Sequence, residues 1–275
     1  MDKTIFYLLH HIKRNKEHIL MMIFVWLMFT IMFIDSTYGV KLYHKENLIY
    51  FWDFENEKSY LNDRKKNIEL QQQGKVRWVP PDHSFNESGV VHLHGDKSEG
   101  TMLIVPTYKM DLELKEWTID FEFGAGVHPL DHRKRNAGGL VDGNLFQWGD
   151  VKVSFRRSVR NKWQGILIVD YRGRKKFIEG VKGFDWYYMA IRSEDEGVSI
   201  WLDSYCTNYI RSPRRSVAKQ QMTFGGSGFA GRIDDIKLYN KRLRPWDIKD
   251  NYWGKELKVN YRGKLLTTWS KIKYQ

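Results

Sequence analysis

"GFAGRIDDIKLYNKRLRPWDIKDNY", Gly228 to Tyr252, carries three signals in one stretch. Ile233 and Ile236 are both apolar yet stand three residues apart, with Asp234 and Asp235 between them. Successive strand side chains point to opposite faces, so a regular strand cannot put both isoleucines in one core. The aspartate pair therefore marks either a bulge or a strand buried on both faces. Beyond "NKRL", Pro245 suits the first turn of a helix, where its missing N–H costs little. "PWDIKDNYW" then places Ile248 and Tyr252 four residues apart on one helical face, with Leu243 positioned to pack onto it from outside. The stretch reads as a last strand followed by a short closing helix.

Upstream, from Leu48 to Tyr239, the chain breaks into short apolar or alternating runs separated by turn residues. These are "LIYFWDF", "KVRWV", "GVVHLH", "TMLIVP", "EWTIDFEF", "NLFQWG", "VKVSFRR", "GILIVDY", "WYYMAIRS", "VSIWLDS", "QMTFGG" and "GRIDDIKLY". Regular short strands with this spacing predict an all-β fold, and so many strands require two sheets packed face to face. "GGLVDGN" at Gly138–Asn144, "SEDEG" at Ser193–Gly197 and "FGGSG" at Phe224–Gly228 each separate two such runs, as hairpin connections would.

At 275 residues the chain is long enough to bury a core without disulfide staples, and the lone Cys206 forms no internal bridge and reads as buried filler. Ile19–Ile34 is an uncharged apolar segment; as a helix it would rise ~24 Å, a little short of the ~30 Å hydrocarbon core. Lys3, Lys13, Arg14 and Lys16 precede it, whereas only Lys41 and Lys45 follow closely, so the N-terminus is expected on the cytoplasmic side. "DSTYGV" offers a weak cleavage site after Gly39, and the basic lead is long for a secretion signal; the segment reads as an uncleaved anchor. The expected organisation is a cytoplasmic basic segment at 1–18, a transmembrane signal anchor at 19–34, a linker at 35–47, the β domain at 48–253 and a basic tail at 254–275. The β domain is thereby expected on the extracytoplasmic side of a single-pass membrane protein. Asn86, in "NES", is a glycosylation sequon.

Several of these pieces together resemble the laminin-G-like jelly roll of the concanavalin A-like lectin and glucanase superfamily. Gly231, Ile233, Asp234, Asp235, Leu238, Tyr239 and Leu243 stand at the spacing of that family's closing strand and helix. "YFWDFEN" at Tyr50–Asn56, "EWTIDFEF", and Trp186 followed by "SIWLDS" match other parts of it. The resemblance spans about three quarters of the chain and implies a two-sheet jelly-roll sandwich. It does not by itself choose an activity, because the fold hosts lectins, glycanases, protein-binding modules and structural modules.

Function is therefore weighed at the residues. Asp120 and Glu122 share a strand face about 6.7 Å apart along the chain, near the separation that two-carboxylate glycoside hydrolysis needs. The glycanase pattern puts its nucleophilic Glu where this chain has Thr118, so the carboxylates read instead as an exposed polar face. The resemblance also raises a structural calcium, with Asp53 and Asp235 as ligands and Asp63 and Asn67 as completing oxygens, although no clustered carboxylate run accompanies them. His92 and His94 share a face and Asp96 follows, but no third ligand stands at zinc spacing, so surface or half-buried imidazoles are expected. Cys206 has no nucleophile context.

Charge points elsewhere. Lys and Arg number 45 against 33 Asp and Glu, a formal net charge of +12, which favours acidic partners. The basic residues cluster around Arg133, Lys134 and Arg135, around Arg156 and Arg157, around Arg172 and Arg174, and around Arg214 and Arg215. If these turns converged on one edge they would bind a glycan or other anionic surface polymer, with Trp148, Trp163 or Tyr171 stacking on sugar. Nucleic acid is not expected as a partner of an exported domain. The sequence thus predicts a membrane-anchored binding module that is not an enzyme. The alternative is a structural or assembly subunit whose anchor, sandwich and tail contact other proteins of a membrane or envelope complex; a glycanase is the third reading.

Overall fold

The computed structural model describes residues 46–65, 68–80, 89–95, 100–106, 114–126, 142–161, 163–183, 185–212 and 220–253. All of them belong to the compact unit Tyr43–Gln275. Among the described residues no helix is long and apolar enough to cross a membrane; the expected anchor at 19–34 and the basic tail at 254–275 lie outside them.

The described residues form fifteen strands and one short helix. In chain order these are β1 (Leu48–Trp52), β2 (Gln71–Gln73), β3 (Val76–Val79), β4 (Val90–His94), β5 (Met102–Val105), β6 (Thr118–Ala125), β7 (Gly143–Trp148), β8 (Val151–Arg157), β9 (Gln164–Tyr171) and β10 (Arg174–Lys182). They continue with β11 (Trp186–Glu194), β12 (Gly197–Leu202), β13 (Tyr205–Arg211), β14 (Met222–Gly225) and β15 (Ala230–Tyr239), and α1 covers 245–253. One sheet has the order β13-β12-β11-β6-β15-β4-β3, with β1 also pairing with β15; the other runs β10-β9-β8-β7-β14-β5-β2. The pairings of both are antiparallel.

The sheets meet through their inward aromatics. Phe121 of β6 lies 5.6 Å from Phe146 of β7 and 5.1 Å from Phe224 of β14, ring centroid to ring centroid, and all three are fully buried. Each such side chain contributes roughly 1.5–3 kcal/mol by leaving water. Every strand expected from the sequence is present. "SEDEG" forms the β11–β12 hairpin, whereas "FGGSG" is not a hairpin: it carries the chain from β14 in one sheet to β15 in the other. Crossing there takes positive φ at Gly225, Gly226, Ser227 and Gly228 in succession, which explains the glycines.

The aspartate pair is a bulge. On β15 Asp234 pairs with Glu122 and the next partnered residue, Lys237, pairs with Asp120, so three steps on β15 match two on β6. Asp235 takes the left-handed conformation, φ 50°, and the Asp234 carboxylate accepts its N–H at 2.8 Å. The inserted residue reverses the parity of the strand. Ile233 upstream and Ile236 and Leu238 downstream all reach the core, while Lys237 is turned to the outer face. There its ammonium lies 3.8 Å from Asp120 Oδ1, 3.7 Å from Asp235 Oδ2 and 5.3 Å from the centre of the Phe51 ring.

α1 closes over this face. Pro245 opens it, and the Asp247 carboxylate accepts the Arg244 N–H at 2.8 Å, satisfying a donor at the helix start. Leu243 and Ile248 are buried as expected. Asn251 donates to Asp120 Oδ2 at 2.9 Å and to the Tyr239 hydroxyl at 3.0 Å, and Tyr188 donates its hydroxyl to the same carboxylate oxygen at 2.9 Å. Burial, reinforced by the Asp120 charge, holds the Tyr188 and Tyr239 hydroxyls well above the ordinary tyrosine pKa.

The carboxylates proposed as calcium ligands face cations of the chain itself. Asp53 Oδ2 is 2.6 Å from Arg64 Nη2, and Arg64 also feels the charges of Glu55 and Asp235. Asp63 accepts the backbone N–H groups of Phe51 and Lys65, and Asn67 lies outside the described residues. Among the described residues no group of three or more His, Cys, Asp or Glu side chains is arranged to hold a metal ion.

Two outcomes follow. Lys237→Ala leaves the buried Asp120 charge without its cation and is expected to lower the unfolding free energy in urea by about 3–5 kcal/mol; the same change at exposed Lys249 should cost less than about 0.5 kcal/mol. Because Arg64 already balances Asp53, the thermal midpoint should be the same in calcium and in chelator. A calcium-dependent rise would mean that the ion displaces the guanidinium.

Candidate ligand-binding site

On β6, Thr118 and Asp120, the positions where a glycanase would need its carboxylates, belong to helix docking. Thr118 is buried, donates to the Lys241 carbonyl at 2.9 Å and accepts the Leu243 N–H at 2.9 Å, which fixes the loop that leads into α1. Asp120 is 0% exposed and engaged by Tyr188, Asn251 and Lys237. The expectation of an exposed polar face is corrected here, because α1 covers it. A carboxylate sealed in this way cannot reach a glycosidic bond, and only Glu122 of the pair remains partly accessible.

Other expectations shift in the same manner. His92 is buried rather than at the surface, with the His94 ring 4.6 Å away, while Asp96 lies outside the described residues. Cys206 is exposed on β13 rather than buried, its Sγ 3.8 Å from the Asn208 carbonyl oxygen. Partial burial raises its thiol pKa, which weakens it as a nucleophile. Trp148 and Tyr171 are core residues, and of the three aromatics considered for stacking only Trp163 is exposed.

The basic clusters separate. Arg156 and Arg157 end β8 beside the start of β9, whereas Arg172 and Arg174 flank the β9–β10 turn, where Tyr171 pairs with Val151. Arg156 stands five residues along β8 from Val151, about 17 Å at ~3.3 Å per residue. Arg172 lies 3.5 Å from Asp150, and Arg174 donates to the Arg211 carbonyl at 2.6 Å, joining β10 to β13 across the open side of the sandwich. Arg133, Lys134, Arg135, Arg214 and Arg215 lie outside the described residues.

What the fold does assemble is an open groove on the outer face of β11, β12 and β13. Strand register sets Arg192, Ser199 and Tyr209 side by side across it. Glu194 Oε1 accepts from Arg192 Nε at 2.7 Å and from the Ser199 hydroxyl at 2.7 Å; Arg192 Nη1 reaches the Leu243 carbonyl at 2.8 Å and its guanidinium lies 5.8 Å over Trp201. Arg242 bridges Asp195 at 3.0 Å and Glu194 at 3.6 Å, and Arg211 pairs with Glu196. Hydrogen bonding to Asp195 raises the Arg242 pKa still further. Tyr209, 44% exposed, stands as the aromatic wall. The chain around this groove is charge-paired even though the protein is strongly basic. Its signal in the sequence was weak, because the residues come from three strands and a loop.

No sequence-family profile matches the chain, and no curated protein matches it. Among solved structures it is similar to the binding domain of Paraclostridial Mosquitocidal Protein 1, at 13% identity and TM-score 0.54 over 76% of this chain and 52% of that one. It is similar also to the binding domain of botulinum neurotoxin DC, solved in complex with rat synaptotagmin II, at 14% identity and TM-score 0.53 over 76% and 52%. A third is botulinum neurotoxin type C, whose cell entry depends upon interaction with two ganglioside molecules, at 13% identity and TM-score 0.52 over 76% and 51%. The chain spans about half the length of these structures, and at such identity the likeness is one of fold: an all-β sandwich of jelly-roll type.

Proposed function

We propose that this chain is an exported, membrane-tethered and non-catalytic binding module, built as a laminin-G-like jelly roll, that holds a neutral glycan in the β11–β13 groove. The observation that carries the reading is the pairing in that groove of an exposed tyrosine ring with interlocked guanidinium and carboxylate groups. Sugar hydroxyls donate and accept at once, so a surface offering both kinds of partner in fixed positions suits them, while the C–H face of the ring packs against an aromatic. Because each local carboxylate has a guanidinium partner, the groove favours a neutral sugar over the anionic polymer that overall charge alone would select. The sealed positions at Thr118 and Asp120 support a role without catalysis. Sandwiches of similar fold occur in toxins that engage gangliosides and synaptotagmin, which is compatible with a scaffold for recognition. The tether rests on the apolar segment at Ile19–Ile34.

The test is a glycan array with the full-length protein, followed by Tyr209→Ala. Retention of a defined neutral glycan should weaken about tenfold in the variant, with an unchanged thermal midpoint. Failure of the wild type to retain any neutral glycan, or equal retention by the variant, overturns the reading. Recovery of one stable protein partner that depends on residues 254–275 would then favour the assembly subunit.

A further inference from the structure

We propose that the tip of the β8–β9 hairpin seats in the interfacial zone of an anionic phospholipid bilayer. Val159 is 99% exposed and Trp163 is 43% exposed. Both stand on one turn between Arg157 and Gln164. An aliphatic side chain wholly in water at a hairpin tip makes no contribution to the core and is available to an apolar boundary outside the protein. Ser158 Oγ accepts the N–H groups of Arg160 at 3.2 Å and Asn161 at 3.3 Å, and Asn161 Oδ1 accepts the Trp163 N–H at 3.0 Å. The Ser158 N–H reaches the Gln164 carbonyl at 2.8 Å, and the Gly183 N–H reaches the Trp163 carbonyl at 2.7 Å, so the turn is clamped to β9 and to the end of β10. These bonds fix the backbone on both sides of Val159.

Charge selects the occupant. Arg156, Arg157 and Arg160, at the same end of the hairpin as the two apolar side chains, are exposed. The Asp142 carboxylate accepts the Arg157 N–H at 2.6 Å. A soluble polyanion would pair with the arginines but give Val159 nothing. A headgroup layer offers phosphate to the guanidiniums and an apolar boundary to Val159, and an indole settles at that depth. Basic residues near an anionic leaflet are drawn to it, an attraction that salt weakens. The proposal is independent of the groove, which lies in the other sheet.

The experiment uses the full chain reconstituted in vesicles, in a Cys206→Ser background, with an environment-sensitive fluorophore on Val159→Cys or, as a control, on Trp246→Cys of α1. Vesicles hold either neutral phosphatidylcholine alone or about 30 mol % phosphatidylserine, each with quencher-labelled acyl chains. In anionic vesicles the probe at 159 should be quenched at least twofold more than the probe at 246. That excess should vanish in neutral vesicles, in high salt, and in the Arg157→Glu, Arg160→Glu double variant. Equal quenching at the two positions, or equal quenching at 159 in both lipids, overturns the proposal. So does a blue shift at 159 produced by soluble polyphosphate and not by anionic vesicles.

Discussion

The ion pair of Lys237 with Asp120, 3.8 Å apart beneath α1, exists only because Asp235 inserts one residue into the last strand. Four residues separate Ile233 from Lys237, so in a regular strand both would point the same way and an ammonium would enter a core built from Phe121, Phe146 and Phe224. Burying that charge among rings without a partner would cost several kcal/mol. The left-handed residue instead delivers Lys237 to the outer face, where a carboxylate awaits it, and returns Ile236 and Leu238 to the core. One backbone irregularity thus solves two burial problems at once. The position of α1 follows, since Asn251 docks on the carboxylate that Lys237 neutralises.

The twelve strands legible in the sequence share one property: each carries enough apolar residues to read as an apolar or alternating run. The three that were not foreseen, β2, β10 and β13, read "QQQ", "RKKFIEGVK" and "YCTNYIR", and all three lie at sheet edges. Each contributes few side chains to the core and is held by backbone bonds to a single neighbour, so little alternation is left to detect, whereas the edge strand β3 keeps Val76 and Trp78 on one face and was legible. Lysine and arginine there also discourage pairing with another chain. That is why the cluster around Arg172 and Arg174 reads as a turn in the sequence, although Arg174 begins β10. The bulge was legible because a parity change leaves a mark in the apolar pattern. The burial of Asp120 was not, because nothing in "EWTIDFEF" says that a helix more than a hundred residues later will cover the polar face.

Among the described residues, the basic clusters read from the sequence do not gather on one edge. The two described basic clusters sit at opposite ends of β8 and β9 because antiparallel hairpins put consecutive turns at opposite ends of a sheet. Sequence neighbours such as Arg157 and Arg172 are therefore separated by the strand between them, and one of the clusters is engaged in closing the side of the sandwich. Charge pairing is instead dense where acids and arginines from β11, the β11–β12 turn, β13 and the loop before α1 converge. Glu194, Asp195 and Glu196, adjacent in sequence, meet Arg192, Arg211 and Arg242.

The groove and the helix are mechanically one structure. Thr118 holds Leu243 through its N–H, Leu243 holds Arg192 through its carbonyl, and Arg192 orients Glu194, which also takes the Ser199 hydroxyl. One residue before Leu243, Arg242 leaves the same loop to fix Asp195. α1 meets β6, β15 and β11 through Asn251 and Tyr252, while the groove of β11, β12 and β13 stays open, so the outer face of this sheet is covered at Asp120 and open toward its edge. The position that would carry a nucleophile in a glycanase serves here to anchor the loop that shapes that open edge. Committing the central carboxylate to folding while holding the peripheral polar groups rigid suits the recognition role proposed for the groove, because pre-ordered donors and acceptors lose little entropy when a ligand arrives.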